Sequence, residues 1–195
     1  HTLGIISDVS FRRNGAKDSL AGIHLSQWLR KCCPHLPIII ESSESSNAAE
    51  AEALGAVFID KNSKKLPVDL GDAIMGNFGF GDFVIKDPDT GKEIMRLSTL
   101  KDLQKHVFEI PAKSLYYHAS SNDISRWLYS RAMFPIAEVM KMHRFCSLDE
   151  ADAVRQLIFD LIVKYRKMKN RGVVAVFQKD RFDHYSNFAR IGQGS

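Results

Sequence analysis

Apolar positions alternate between two rhythms over the first 75 residues. Leu3 to Val9 is a short β-rich run, whereas Leu20, Ile23, Leu25, Trp28 and Leu29 fall near helical spacing in LAGIHLSQWLRKCC. The pattern predicts a strand followed by a helix over Leu20 to Cys33, which Pro34 stops. PIIIESS reads as a second buried strand, SNAAEAEALG as a short helix ended by Gly55, AVFID as a third strand and Leu66 to Met75 as a further helix. Strands separated by helices imply βαβ units with right-handed crossovers, hence an α/β fold with a parallel sheet.

The rhythm changes at GNFGFGD, residues 76–82, where three glycines and two phenylalanines mark a boundary after a helix. DFVIKDPDTGKEIMRL predicts a β-hairpin turning at Asp87 to Gly91. Helical patterns follow over Thr99 to Phe108, Ser114 to Ala119, Asp123 to Met133 and, as a long amphipathic segment, Leu148 to Lys169. Ser147 and Glu150 stand at capping-box spacing before the last of these. RGVVAVF predicts a short strand and QKDRFDHYSNFARIGQGS an extended tail. The expected organisation is an α/β domain over 1–78 and a hairpin plus a mainly α-helical domain over 79–195. Three strands make a thin sheet, and the chain opens at His1, directly on a strand, so further strands are expected upstream.

Composition narrows the class. With 45% hydrophobic and 26% charged residues and no apolar run approaching the ~20 residues of a membrane span, an ordinary non-membrane protein is expected. Cys32, Cys33 and Cys146 give no disulfide framework, and adjacent cysteines bridge poorly, so a reducing cytoplasm is the simpler location. The net charge of +4 is uneven: residues 1–78 carry 8 basic against 9 acidic side chains, and the excess lies beyond them, much of it in RKMKNR, Arg166 to Arg171. That run reads first as a solvated helix end suited to the helix dipole, and only second as a nucleic-acid contact.

Asp8 poses a chemical question, because a charge at the end of an apolar strand needs a partner or an exit to solvent. In an open parallel sheet, functional groups collect at the carboxyl ends of the strands. Asp8 closes the first strand, Ser42 and Ser43 close the second, and Lys61 follows Phe58, Ile59 and Asp60 on the third. An acid, a hydroxyl and an amine at one edge can handle a phosphoryl group, with the carboxylate as nucleophile and the other two as its hydrogen-bonding and ion-pairing partners. The plainer reading is an Asp8–Lys61 ion pair that holds the edge, with Ser42 or Ser43 capping the next helix. In the second half, His118, Asn122 and Trp127 invite a ligand site, but a core histidine, an N-capping loop and a buried tryptophan account for them equally. The chain carries no Walker loop, CxxC or HExxH.

The Asp/Ser/Lys spacing resembles the receiver domain of two-component response regulators. The resemblance implies a flavodoxin-like parallel sheet, N-terminally truncated here, with Asp8 as phospho-acceptor, Ser42 (or Ser43, one position on) as switch hydroxyl, Lys61 as the lysine that reads the new charge and Phe58 as the aromatic switch. It also implies that the Ser10 backbone carbonyl would face Mg²⁺, a hard ion that prefers oxygen ligands. AGIHLSQWLR resembles the helix that follows. There are departures: RRNGAKDSL lengthens the loop after Asp8, the segment from Ser42 to Gly55 is short, and Asn62 stands where a proline follows the lysine. The acidic pair that holds Mg²⁺ in receivers belongs to a strand before Leu3. Phosphorylation, from a histidine kinase, is therefore expected of the intact domain only.

A wider resemblance covers nearly the whole chain. NFGFGDFVI, the LKDLQ to IPAKSLYYHASSNDISRWL block and the terminal NFARIGQGS look like the N-terminal regulatory region of bacterial phosphoenolpyruvate synthase-like proteins related to pyruvate, phosphate dikinase. This implies partners within the same protein: a downstream ATP-binding domain, whose edge Gly192, Gly194 and Ser195 would approach, and a phosphoenolpyruvate-utilising domain. The parent would convert pyruvate and ATP to phosphoenolpyruvate through a phosphohistidine, and His24, His118 and His143 are given no catalytic role in it. The expected function is a regulatory module: a phosphoryl group on Asp8 draws in Ser42 and Lys61, shifts Phe58 and repacks the helical domain. The alternatives are a degenerate receiver that acts only as a protein-interaction scaffold, and a response regulator with a nucleic-acid-binding output.

Overall fold

The computed structural model describes residues 2–143 and 145–173. In chain order its first half contains β1 (Ile5–Asp8), β2 (Phe11–Arg13), β3 (Ala16–Asp18), α1 (Ala21–Cys32), β4 (Ile38–Ser42), α2 (Ala48–Ala53), β5 (Val57–Asp60) and α3 (Leu66–Asn77). β1, β4 and β5 form a parallel sheet with β4 in the middle, Asp8 beside Glu41 and Ser42 beside Asp60. The β-branched run Ile38 to Ile40 takes the central strand because only there are both faces covered. Pleating sends Ile38 and Ile40 toward Ile23 and Leu29 of α1 and Ala51 of α2, and Ile39 toward Ala73 of α3 and Phe78.

The long loop expected after Asp8 is instead a two-stranded antiparallel hairpin, β2 with β3. Its turn is Asn14-Gly15, both with positive φ, the backbone that two-residue hairpins need. α1 then starts hard against β1: a Cβ on Gly22 would lie 2.1 Å from the Asp8 carbonyl oxygen.

The second half comprises the antiparallel hairpin β6 (Phe83–Lys86) and β7 (Glu93–Leu97), then α4 (Leu100–His106), α5 (Ala112–Ser120), α6 (Asp123–Ser130), α7 (Phe134–Met142) and α8 (Ala151–Val173). Its core gathers Phe83, Leu103, Leu115, Trp127, Ile136 and Ile158 from most of these elements. The helix expected over Asp123 to Met133 ends at Ser130, because Ala132 turns left-handed at φ +55° and Pro135 sits in the first turn of a new helix, α7. The capping box expected at Ser147 and Glu150 does not form. A 3-10 turn over Leu148–Glu150 precedes α8, Ser147 makes no side-chain cap bond, and Glu150 Oε2 accepts from the Cys146 N–H instead. A capping box does close α4, between Thr99 and Asp102. α8 takes in 171–173, the first residues of the expected strand RGVVAVF; the rest of that strand and the tail with Gly192, Gly194 and Ser195 lie outside the described residues. Among the described residues no helix is long and apolar enough to cross a membrane.

The end of α6 and its C-cap Arg131 clamp the glycine segment that joins the halves. Arg131 Nη1 donates to the Gly79 carbonyl at 2.8 Å and Nη2 to that of Gly81 at 2.9 Å. Ser130 Oγ adds a bond to Gly79 O at 2.6 Å, and Trp127 Nε1 one to Gly81 O at 3.2 Å. Gly79 has φ +82°, and a Cβ there would press on the Arg126 and Trp127 backbone at 3.1 Å.

Two alanine substitutions separate close approach from mere helix propensity. Gly22→Ala forces the α1 start off β1 and is expected to lower unfolding free energy by about 1–3 kcal/mol. Gly71→Ala, in α3 with nothing within 4 Å of a new Cβ, should raise it by about 0.5–1 kcal/mol. Urea unfolding of the two variants and the parent reads both signs.

Candidate functional site at the carboxyl edge of the sheet

Lys61 leaves β5 directly after its last residue and donates its backbone N–H to the Ser42 carbonyl at 2.8 Å, which fixes the base of its side chain. From there it spans the end of β4, and Nζ reaches Asp8 Oδ2 at 2.6 Å. The other oxygen, Oδ1, accepts from the Ser10 N–H at 3.3 Å. The Lys61 and Asp8 side chains are 33% and 44% exposed, so the pair is open to a reactant from solvent. Partial desolvation pushes the Asp8 carboxyl up, but the Lys61 hydrogen bond, the Ser10 and Val9 N–H groups and the Lys61 charge together hold it below its ordinary value. Asp8 is thus an ionised, solvent-accessible carboxylate, the state a carboxylate nucleophile requires.

The other sequence candidates are placed differently. Asp8 pairs with Glu41, so the next residue, Ser42, points to the opposite face of the sheet. Ser42 is buried, and its hydroxyl accepts from the Glu44 N–H at 3.1 Å and from Asn47 Nδ2 at 2.9 Å. Ser43 is exposed, and its carbonyl accepts from Asn62 Nδ2 at 2.7 Å. Phe58 pairs with Ile40 and packs against the α1 and α2 cluster, on the face away from Lys61. Ser10 contributes its N–H to Asp8, while its Oγ is buried with no hydrogen-bond partner. The structure therefore unites Asp8, Lys61 and the Ser10 N–H; it does not bring the Ser42 hydroxyl or Phe58 onto their face.

Mg²⁺ needs several oxygen ligands. Among the described residues no group of three His, Cys, Asp or Glu side chains is placed to hold a metal ion, and both Asp8 oxygens already accept hydrogen bonds. These residues do not by themselves fit Mg²⁺.

His118, Asn122 and Trp127 belong to a different construction. The Lys86 N–H can only donate, so His118 Nε2 accepts it at 3.0 Å, and Nδ1 carries the proton of the neutral ring to Asp123 Oδ2 at 2.8 Å. Asp123 Oδ1 takes Arg126 Nη1 at 2.9 Å, and Arg126 Nη2 crosses to the His35 carbonyl of the first half at 2.7 Å. With its side chain 4% exposed and both nitrogens engaged, His118 is a core histidine and has no nitrogen left for proton transfer. Asn122 precedes α6 with φ +59° and makes no side-chain cap bond, so its left-handed backbone is what the position uses. Trp127 is 1% exposed with the Arg131 guanidinium 4.1 Å over its ring. The network lines a cleft of about 910 Å³ between the halves, which His35, Lys86, Asp123 and Arg126 share. His24 meets Asp18 at 3.4 Å, and His143 is exposed after α7. Sequence reasoning passed over Arg126 and Arg131, whose i, i+5 spacing on a short helix carries no motif. No family model, no curated protein and no solved structure matches the chain.

The folded Asp8 pKa lies below the unfolded one, so its contribution is whole above the unfolded value and disappears as pH falls through the folded value. For so exposed a pair the contribution is about 0.2–1 kcal/mol. Asp8→Asn should cost that much near neutrality, with the gap to the parent closing below about pH 4 in urea unfolding over a pH series. His118→Leu leaves the Lys86 N–H without its acceptor, while Asp123 keeps Arg126 on Oδ1, and should cost about 1–3 kcal/mol. His118→Gln, which keeps an acceptor, should cost less in the same assay.

Proposed function

We propose that this chain is a receiver-like regulatory module in which Asp8 accepts a phosphoryl group and Lys61 reads it. The observation that carries the reading is the 2.6 Å Lys61–Asp8 contact made across the end of the central strand of a parallel sheet. It places an ionised, accessible carboxylate and an amine where open α/β sheets put their chemistry. In the transfer, an Asp8 oxygen forms the bond to phosphorus as the P–N bond of a phosphohistidine donor breaks, and the imidazole leaves with that electron pair. Lys61 then ion-pairs with the phosphoryl oxygens in place of the free carboxylate. On this reading the sheet is the later part of a flavodoxin-like fold, the metal ligands come from strands before Leu3, and the chain is the cytoplasmic regulatory part of a phosphoenolpyruvate synthase-like phosphotransferase. It performs no catalytic turnover of its own.

A second reading, a degenerate receiver that only docks, draws on a specific observation. The hydroxyl that would follow the phosphoryl group, on Ser42, is buried and already holds the Glu44 N–H and Asn47, and Asn62 ties the lysine loop to Ser43. Calorimetric titration of beryllofluoride with Mg²⁺ into the full-length protein separates the two. The expected result is saturable binding that Asp8→Asn abolishes. Absence of binding in both proteins would overturn phosphorylation and leave the scaffold.

A further inference from the structure

Besides the large cleft, a second cavity of about 540 Å³ opens between the halves, within the roughly 300–1,000 Å³ usual for small-molecule sites. α1 gives it Trp28, Leu29 and Cys32 at i, i+1 and i+4, one side of a helix. α6 and its N-cap give Asn122, Ser125 and Tyr129, again at helical spacing. Leu3, Ile5 and Leu36 complete a mostly apolar wall. Leu29 is 6% exposed, yet its neighbour Trp28 is 59% exposed, so the cavity keeps a large indole in contact with water.

The charges around this cavity have one sign. Among the described residues its lining holds Lys141, Arg126 and the His35 imidazole, and no carboxylate. The larger cleft instead sets Asp82, Glu93 and Asp123 among its cations, so its charges compensate within the protein. Arg126 is already committed to Asp123 and to the His35 and Ser121 carbonyls. Lys141, in the last turn of α7, makes no hydrogen bond or ion pair among the described residues. The helix dipole accounts for a lysine at that position, but not for the apolar cavity it borders. Glu138, one turn earlier, does not line the cavity; burial and its carboxylate push the Tyr129 phenol up, so that hydroxyl stays neutral.

We infer that this cavity binds a small organic monoanion with an aromatic or branched apolar body, of the class of an aryl carboxylate. The body covers Trp28, Leu29 and Leu36, and the anionic group meets Lys141. Inorganic phosphate would leave the apolar wall in water, and a neutral hydrocarbon would leave the lysine unused. The bound molecule touches β1 and α1 of the first half and α6 and α7 of the second, so it fastens the halves together. The inference stands on this cavity and does not require Asp8 to be phosphorylated.

Cys32 and Cys33 line the cavity and Cys146 does not, while all three are exposed, so the thiols report where a ligand sits. The probes are anilinonaphthalene sulfonate, an aromatic monoanion, and phenylnaphthylamine, the same rings without the sulfonate. With the full chain, the sulfonate is expected to brighten saturably at one site. At about ten times its Kd it should slow N-ethylmaleimide at Cys32 and Cys33 by roughly tenfold and leave Cys146 unchanged, read by mass spectrometry. Lys141→Gln should weaken the sulfonate by about fivefold. The same variant should bind phenylnaphthylamine as the parent does, which shows that the cavity is intact and only the charge is gone. The inference is overturned if the sulfonate does not bind saturably, if it binds without protecting Cys32 and Cys33, or if Lys141→Gln weakens both dyes alike or neither.

Discussion

Backbone carbonyls stranded in loops are the problem this chain solves most consistently, and it solves it with arginine. A part-buried C=O without a partner costs about as much as a lost hydrogen bond, and a guanidinium brings five donors in a fixed fork. Arg30 donates to the carbonyls of Leu54 at 2.6 Å, Leu36 at 2.6 Å and Gly55 at 2.9 Å, closing the loops that follow α2 and precede β4. Arg131 does the same for Gly79 and Gly81, Arg126 for His35 and Ser121, and Arg155 for Ile110. Burial lowers the Arg30 and Arg131 pKa values, yet guanidinium starts so far above neutrality that both stay charged. Lysine, a point donor, could not serve two or three carbonyls at once.

The carboxyl edge of the sheet uses a different device. Lys61 and Asp8 hold each other with substantial exposure, whereas Arg30, Arg126 and Arg131 are spent largely on backbone. The period of two along β4 then decides what else can join them. Glu41 lies on their face and Ser42 on the other, because a strand cannot present consecutive side chains to one side. The buried Ser42 hydroxyl serves as the acceptor that ties the start of the next segment to the strand end. One side chain of the three expected at the site is thus claimed by local structure.

The sheet, its order of strand and helix, and the Asp8–Lys61 meeting were legible because each rests on short-range pattern: β-branched runs, helical spacing and a charge at a strand end. The second hairpin was legible from Asp87 to Gly91 for the same reason. What escaped depended on information that periodicity does not hold. The β2–β3 hairpin is only three residues a side and carries charges on both faces, so alternation was invisible although Asn14-Gly15 was a usable signal. α7 was hidden because Phe134-Pro135 reads as a stop when it is a start. Ser147 and Glu150 have capping-box spacing, but the intervening 3-10 turn moves the Glu150 carboxylate one residue further back. His118 could be called a core residue, while its links to Lys86, Asp123, Arg126 and His35 are tertiary and have no sequence period at all.

The strand that carries Asp8 is also the one that touches the helical core. Leu3, just before β1, packs against the cluster of the second half and against the α3 cluster of the first. β1 lies between that anchor and the Asp8–Lys61 edge, bonded along its length to β4. A short strand tied at both ends and hydrogen-bonded to a buried neighbour moves as a unit or not at all. On the regulatory reading, a new charge at Asp8 therefore has a contiguous route into the helical half through β1 and Leu3. Phe58 instead packs against the α1 and α2 cluster and not against the core of the helical half. If the module signals, the packing points to the strand and not to the aromatic as the moving part.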